Sequence, residues 1–342
     1  MAVRIKDIAE KAGVSEGAVR KALHGYAGTA RVGKETTKKI RDIAAQMRYR
    51  PNLIARQLAG GRNRVIGVII DSVPPSVHLS RLDAIEAEVA NYAYRLIVGQ
   101  SHGQSSRVED YFRDFAGRGI EALLYISHHG RNPEMDKVLT DWYRDFRAVV
   151  FVGRVLGDNL VNSSYSVNLD RSEGIRLGVE HLLTRGKSRI GIMINRTSDY
   201  TTQQRLDGYA QAMSARNMEV EPGLIQHLKH AKSIDQRVAP VVEALIKEQH
   251  VDAIIAHNDH YAFATINHLR RMNLRIPQDV AVIGFDNIDT AELFYPPLTT
   301  IDQNVKQTAK VAIGMLMDLL EGKKVRDRHI LLSPKLVVRE SS

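Results

Sequence analysis

The feature that most constrains the fold is an alternation of short apolar runs with amphipathic segments, which continues from about residue 64 to about residue 286. The run "RVIGVIID" is rich in β-branched residues and is apolar on both faces, as expected for a buried parallel strand. Helical patterns separate it from the later runs "RLIVGQ", "EALLYIS", "AVVFVG", "SVNLD", "RIGIMIN", "DAIIAHND" and "VAVIGFD". Because such alternation builds βαβ units, we predict an α/β body of two doubly wound, Rossmann-like lobes with a cleft between them.

The first fifty residues follow a different, purely helical pattern. The stretch "RIKDIAEKAGVSEGAVRKALHG" predicts two helices around a tight turn. We expect Gly13 to end the first helix in a left-handed conformation and Ser15 to cap the second. A third helix is predicted from about Lys34 to Met47. Three short helices with a Gly-Val-Ser turn indicate an all-α helix-turn-helix head in front of the α/β body.

The positive charge of the chain is concentrated in this head. Residues 1–62 contain 14 lysines and arginines against 5 aspartates and glutamates, an excess equal to the net charge of +9 of all 342 residues. A basic module on a neutral body is typical of a protein that binds a polyanion such as DNA. The alternative is a basic surface that is only solvated.

Composition excludes several functional classes. The chain has no cysteine, which excludes disulfides, a thiolate nucleophile and Cys-ligated metals. We expect a cytoplasmic protein without a membrane partner, because no signal peptide and no apolar run of about 18 residues is present. His257 and His260 lack further ligands, so we predict no metal and no cofactor. No nucleophile–base set is apparent, so we predict no catalytic residues and no enzyme.

The segment "YRPNLIARQLAGG", residues 49–61, predicts a short helix between the head and the body. Pro51 and Asn52 are typical of a helix start, and Gly60-Gly61 of a stop. About two turns of helix are too short to be stable alone in water. Either the segment is a packed connector, or it folds against a partner.

The order of the motifs Asp-Ile-Ala, Ala-Gly-Val-Ser, Tyr-x-Pro-Asn and Ala-Arg-x-Leu resembles that of the lactose/galactose repressor (LacI/GalR) family, and the likeness continues along the whole chain. It implies a transcriptional regulator, most often a repressor, that binds double-stranded operator DNA as a homodimer. A small-molecule effector, carbohydrate or nucleoside-like, would bind between the lobes and modulate operator affinity. The implied domains are a DNA-binding domain (1–50), a hinge helix (51–61) and an effector-binding and dimerisation domain (62–342). Within the last, the N-lobe comprises about 62–166 and 303–330, and the C-lobe about 167–302 and 331–342.

The resemblance also assigns the operator contacts. The second helix of such a unit lies in the major groove, where Lys21 or Arg20 can donate to guanine and Glu16 can accept from cytosine. Alternatively, Glu16 only stabilises the first turn of its helix. Leu58 matches the family's leucine that wedges between base steps in the minor groove. The predicted DNA-binding residues are Lys6, Ser15, Glu16, Gly17, Arg20, Lys21, His24, Arg31, Tyr49, Asn52, Ala55, Arg56 and Leu58.

Three features depart from the family pattern. Gly17 has no side chain to contact a base, and the loop "HGYAGTARVGKETT" is a few residues longer than usual. The operator sequence therefore cannot be inferred by analogy. Gly153 stands where most relatives carry an acidic residue, which weakens the assignment of any particular sugar.

Effector contacts are expected beyond the carboxyl ends of the strands. Arg205 in "QQRLDGY", Asn258 in "HNDH" and Asp286 in "GFDNID" match the arginine, asparagine and aspartate that contact the effector in the family. Alternatively, Asn258 and Asp286 only cap the helices that follow them. The predicted effector-binding residues are Ser72, Gln100, Ser127, Arg154, Arg205, Asn258, Phe285 and Asp286.

Two competing functions use the same α/β body. A sugar-processing enzyme would need a catalytic set, and none is apparent. A transport-type solute-binding protein would need a signal peptide and no DNA-binding head, and both requirements disagree with the sequence.

Overall fold

The chain divides into two units, Met1–Asn63 and Arg64–Ser342. The computed structural model describes residues 3–24, 32–49, 63–71, 76–127, 132–153, 158–195 and 200–342. The predicted hinge helix at 51–61 lies outside these residues. So do some of the predicted contacts, namely Arg31, Asn52, Ala55, Arg56, Leu58, Ser72 and Arg154.

The first unit contains the three predicted helices, α1 (Ile5–Ala12), α2 (Glu16–His24) and α3 (Lys34–Gln46). Their buried faces meet in one core, in which Ile8, Val19 and Ile40 are fully buried. Gly13 ends α1 with φ of 68°, and its N–H donates to the Glu10 carbonyl at 3.3 Å while the N–H of the next residue donates to the Ala9 carbonyl at 3.1 Å. These two bonds satisfy carbonyls that the helix end leaves free, so the predicted turn is confirmed.

The first half of the second unit builds a parallel sheet flanked by helices. Its elements are β1 (Val65–Ile70), α4 (Ser76–Ala90), β2 (Arg95–Gln100), α5 (Ser105–Gly117), β3 (Ala122–Ile126), α6 (Pro133–Trp142), β4 (Ala148–Val152), α7 (Asp158–Val161) and β5 (Tyr165–Leu169). A short 3₁₀ turn, Tyr143–Asp145, follows α6.

The second half repeats this plan. Its elements are α8 (Arg171–Thr184), β6 (Ile190–Asn195), α9 (Tyr200–Ser214), β7 (Ile225–Leu228), α10 (Ile234–Glu243), β8 (Ala253–Ile255), α11 (Asp259–Arg271), β9 (Ala281–Asp286), α12 (Thr290–Leu293), β10 (Thr299–Asp302), α13 (Val305–Leu320), β11 (His329–Leu332) and β12 (Lys335–Val337). A 3₁₀ turn (Pro222–Leu224) precedes β7, and a π-helical turn (Ala244–Glu248) follows α10.

The two sheets have equivalent strand orders, β11-β5-β4-β3-β1-β2 and β12-β10-β9-β8-β6-β7. The first is parallel throughout, and in the second only β12 runs antiparallel to its neighbour among the described strands. The predicted doubly wound architecture of two lobes is confirmed. In each lobe the strand order reverses beside the first strand, and ligands bind beyond strand carboxyl ends at such a switch point.

The chain passes between the lobes slightly later than the predicted boundaries at 166 and 330. The strand β5 belongs to the first sheet up to Leu169, and β11 pairs with it up to Leu332. The helix α13 returns to the first lobe, where Ile313 and Leu316 join the core beneath β1, β3 and β4. No helix among the residues described is long and apolar enough to cross a membrane.

Candidate functional site

The helix α2 presents one polar face to solvent. Glu16, Gly17 and Arg20 are exposed and Lys21 is half-buried, whereas Val19 points into the core of the head. The predicted cap of this helix is confirmed, because the Ser15 Oγ accepts a hydrogen bond from the Ala18 N–H at 3.2 Å. The structure therefore brings the predicted base-reading positions together on a single surface.

Charged side chains on the head form short-range ion pairs. Arg20 Nη2 lies 3.3 Å from Glu16 Oε2, and Lys6 Nζ lies 3.9 Å from Glu10 Oε1. Exposed pairs four residues apart on a helix contribute only about 0.3–0.5 kcal/mol, so Arg20 can exchange Glu16 for a DNA group at little cost. The side chain of His24 lies outside the part of the chain that is described.

Two further head residues have different surroundings. Tyr49 packs against the helical core. Burial raises the pKa of its hydroxyl, and the positive charge of Arg20 partly offsets this rise.

A Cβ added at Gly17 would have only the Ser15 Oγ within 4 Å among the described residues, at 3.8 Å. Neither packing against the described residues nor backbone conformation requires glycine at this position.

In the N-lobe, polar groups follow the strands β1, β2 and β3. The carboxylate of Asp71 accepts hydrogen bonds from the Ser101 hydroxyl at 3.1 Å and from the Tyr125 hydroxyl at 3.4 Å. Ser127 is fully buried, and its Oγ has no hydrogen-bond partner among the described residues. Gln100 lies at the end of the edge strand β2, and its amide nitrogen lies 3.4 Å from His102 Nδ1. Ser127 is therefore the predicted N-lobe residue best prepared to bond a ligand.

In the C-lobe, side-chain hydrogen bonds link the ends of β6 and β8. The Asn195 amide nitrogen lies 2.9 Å from His257 Nε2, and Arg237 Nη2 donates to the Asn195 Oδ1 at 3.2 Å. The Asn258 side chain accepts from the Tyr261 N–H at 3.1 Å and so caps α11. The capping role considered for Asn258 is thus present, and it uses the amide oxygen of that side chain.

Arg205 lies within electrostatic range of Asp286, which ends β9. The Arg205 guanidinium stacks on the Phe285 ring, 4.4 Å from its centroid, and all three side chains are buried. Asp286 has φ of 130°, a backbone region that favours glycine, which indicates a constrained site. The alternative that Asp286 caps the next helix is wrong, because Asp289 directly precedes α12.

A hydrogen-bonded bridge connects Asp286 to the N-lobe. The Gln303 side chain donates to the Asp286 carboxylate, and its Oε1 accepts from Arg81 Nη2 at 2.5 Å. Arg81 lies on α4, whereas Asp286 ends a strand of the second sheet. The bridge therefore links the Asp286 carboxylate of the C-lobe to a helix of the N-lobe.

Burial controls the protonation of this bridge. Desolvation, reinforced by the neighbouring Asp259, raises the pKa of Asp286 to about 7, with Arg205 and Gln303 acting against the shift. Burial likewise lowers the pKa of Arg81 to about 10, which leaves it charged at neutral pH. Asp259 accepts hydrogen bonds from the Ile288 N–H at 2.9 Å and the Thr300 hydroxyl at 2.5 Å.

Within the described residues, no cluster of three or more His, Asp or Glu side chains could hold a metal ion. The site is instead a set of buried hydrogen-bonding and charged groups. The residues that sequence reasoning missed are Arg81, Arg171, Arg237, His257 and Gln303.

Comparison with known proteins agrees with this two-part organisation. Residues 4–52 match the family "Bacterial regulatory proteins, lacI family", and residues 179–342 match "Periplasmic binding protein-like domain". The HTH-type transcriptional repressor PurR of Aliivibrio salmonicida is 26% identical over 351 residues, with 98% of each chain covered. The HTH-type transcriptional regulator RegA of Clostridium acetobutylicum is 29% identical over 344 residues, covering all of this chain and 99% of that protein.

Among solved structures, a lac repressor dimer bound to operator and the anti-inducer ONPF is similar in fold. It has a TM-score of 0.84 and 22% identity, and the alignment covers 100% of this chain and 99% of that one. The relatives are transcriptional regulators, so the prediction that the chain is not an enzyme is confirmed. The chain therefore carries a LacI-family helix-turn-helix domain followed by a periplasmic-binding-protein-like domain, which is the organisation of a bacterial transcriptional regulator.

Proposed function

We propose that the protein is a dimeric repressor whose operator affinity is modulated by a small molecule bound between the lobes, at Arg205, Phe285 and Asp286. The observation that carries this proposal is the bridge from Asp286 through Gln303 to Arg81. A ligand that bonds Asp286 competes with or reinforces that bridge, so it has a different affinity for each arrangement of the lobes. Such a difference is what a ligand needs to shift a conformational equilibrium.

The proposed effector contacts combine complementary chemistry. The guanidinium of Arg205 donates and the carboxylate of Asp286 accepts. The Ser127 hydroxyl, which has no partner among the described residues, can do both. Carbohydrates and nucleosides, which carry several hydroxyl groups, are the ligand class that such a set recognises. Phe285 beneath Arg205 holds the guanidinium in place for this purpose. Gln100, Asn258, Ser72 and Arg154 complete the proposed set.

Exposed apolar side chains support a homodimer. Leu79 on α4 and, on the edge strand β2, Ile97 and Val98 are exposed in the single chain, Leu79 to 57%. An edge strand with exposed apolar residues is a ready pairing surface. The similar lac repressor structure is a dimer on its operator. The two heads of one dimer would contact the two half-sites of an operator in the cytoplasm.

The proposed operator contacts are the exposed face of α2, with Lys6 and Tyr49 beside it and the hinge residues Asn52, Ala55, Arg56 and Leu58. Operator binding should be strongly salt-dependent, because lysines and arginines that contact phosphates release counterions. With six to ten phosphate contacts, affinity should fall about 10³-fold or more between 50 and 200 mM salt. Because the operator is unknown, a DNA duplex is first selected from random sequences by its binding to the full-length protein. Fluorescence anisotropy then measures the affinity of the protein for this duplex.

The variant Lys21→Ala should weaken binding to that duplex about tenfold or more, because one base or phosphate contact is lost in each head. Lys232→Ala is the matched control, since it removes the same charge from an exposed position of the second unit and should bind as the wild type does. Salt-independent binding, or equal losses in the two variants, would contradict the assignment of α2 as the reading helix.

A further inference from the structure

A cavity of about 650 Å³ opens at one edge of the C-lobe sheet, and every residue that lines it is described. Its lining comes from the turns that lead into β6, β9 and β10 and from the segment that follows β12. Since β12 runs antiparallel to β10, all four segments lie at the amino ends of the parallel strands. The proposed effector contacts Asn258 and Asp286 lie at carboxyl ends of these strands instead. Pockets of roughly 300–1,000 Å³ hold small molecules, so the cavity has room for a ligand other than the effector.

Arg270, in the last turn of α11, brings a charged group with available donors to this cavity. Its guanidinium carbon lies 4.9 Å from the centroid of the Tyr295 ring, and Tyr295 is 73% exposed. The Arg270 side chain has no hydrogen bond or ion pair with any other residue that the structure describes. The stacking contact therefore holds the guanidinium beside the cavity while its N–H groups stay available to a ligand.

Two other arginines of the lining can turn their donors to a ligand. Arg185 is exposed, and its Nη2 donates to the Ser342 main-chain oxygen at the long distance of 3.5 Å. Arg275 is also exposed, and its Nη2 lies 2.7 Å from the Asp279 Oδ1. Exposed pairs of this kind contribute little to stability, so either guanidinium can exchange its partner for an anion.

The rest of the lining sets the character of the cavity. Glu340 is the one acidic side chain in it, and the Arg339 guanidinium is committed to the Leu298 carbonyl at 2.8 Å and the Asn287 Oδ1 at 2.9 Å. The lining also contains apolar side chains, namely Leu274, Ile276, Pro277 and Pro296. An apolar wall beside guanidinium groups suits a molecule that combines an oxyanion with a ring.

The alternative is that these arginines only balance helix dipoles. Arg270 lies in the last turn of α11 and Arg185 directly follows α8, where a cation is favourable. The carbonyls of residues 268–270 accept from the N–H groups of residues 272–274, so they do not need Arg270 as a donor. The dipole amounts to only about half an elementary charge, less than that of one guanidinium. It also does not explain why Arg270 stacks on Tyr295 beside the cavity.

We infer that this cavity binds a phosphorylated small molecule with a planar ring, such as a nucleotide, as a second ligand of the C-lobe. Arg270 and Arg185 donate to the phosphate oxygens, which the planar guanidinium matches with two parallel hydrogen bonds. The ring of the ligand packs against the apolar side chains of Leu274 and Ile276, next to Tyr295. Because the two sites lie at opposite edges of one sheet, this ligand does not compete with the proposed effector.

The test adds AMP, GMP, CMP and UMP, their nucleosides, ribose 5-phosphate and inorganic phosphate to the full-length protein. Ionic strength is kept equal with chloride. Thermal unfolding and titration calorimetry measure binding, and amide hydrogen exchange locates it. We expect saturable stabilisation by at least one nucleotide and a weaker effect of its nucleoside and of phosphate alone. Exchange should slow in the segments 270–278 and 339–342.

The variant Arg270→Gln should lower the affinity for the active nucleotide at least about tenfold, because a charge-assisted hydrogen bond is lost. Tyr295→Ser removes the ring that positions Arg270 and should weaken the same nucleotide; its exposed position makes unfolding of this variant unexpected. The matched control is Arg271→Gln, the next residue on α11. Arg271 is exposed, pairs with Asp235 and does not line the cavity, so this variant should bind the nucleotide as the wild type does.

Four outcomes would overturn the inference. They are no stabilisation by any nucleotide, equal affinity for nucleotide and inorganic phosphate, unchanged affinity in both Arg270→Gln and Tyr295→Ser, and slowed exchange confined to the carboxyl ends of the strands around residues 285–287. The last outcome would assign the nucleotide to the proposed effector site instead. The proposed effector site itself is unaffected by the other three.

Discussion

Substituting Ile40 by alanine is expected to unfold the helix-turn-helix head and abolish specific operator binding while the second unit remains folded. Ile40 on α3 is fully buried between α1 and α2, beside Ile8 and Val19. Truncating a buried isoleucine costs about 2–5 kcal/mol, because apolar contacts are lost and a cavity remains. A unit of this size rarely has more than about 3–5 kcal/mol of stability, so one such change removes most of it.

Thermal unfolding of the full chain, followed by circular dichroism and by amide hydrogen exchange, separates the two units. Exchange protection should disappear in α1–α3 and persist in β1–β12. The matched control is Ile43→Ala on the same helix, where the side chain is only half-buried and less contact area is lost. A head that keeps its protection and its operator affinity with Ile40→Ala would contradict the assignment of this core.

The buried strands β1, β3 and β4 could be predicted because both faces of each are covered. In β1, β3 and β4 nearly every residue is buried, which leaves an uninterrupted apolar run in the sequence. The edge strands β7, β11 and β12 gave no such pattern, since they are short and half exposed and carry polar residues such as Gln226 and His329. Their pairing depends on neighbours far along the chain.

Some residues of the candidate sites could likewise be predicted from the sequence, and others could not. The face of α2 follows from local signals, namely the left-handed Gly13, the capping Ser15 and the helical period. The resemblance to the family nominated Arg205 and Asp286, which lie within electrostatic range of each other. Arg81 and Gln303 could not be found, because they are 222 residues apart and only the return of α13 to the first lobe brings them together. A buried arginine has no local sequence pattern that distinguishes it from an exposed one.

Substituting Gly208 by alanine is expected to destabilise the second unit and weaken effector binding together. Gly208 lies where α9 crosses the start of α8, and an added Cβ would lie 2.1 Å from the Ser172 backbone carbonyl oxygen. The clash is with backbone rather than with a flexible side chain, so the two helices must separate. Overpacking typically costs about 1–3 kcal/mol, and a forced backbone shift costs more.

The same shift displaces the proposed effector site, because Arg205 lies one turn before Gly208 on α9. The control Gly314→Ala on α13 adds its Cβ in open space and should raise the unfolding free energy by up to about 1 kcal/mol through helix propensity. Chemical denaturation of both variants should therefore give changes of opposite sign. Equal stability of the two would show that α8 and α9 can separate freely, and the position of Arg205 would then not depend on this close contact.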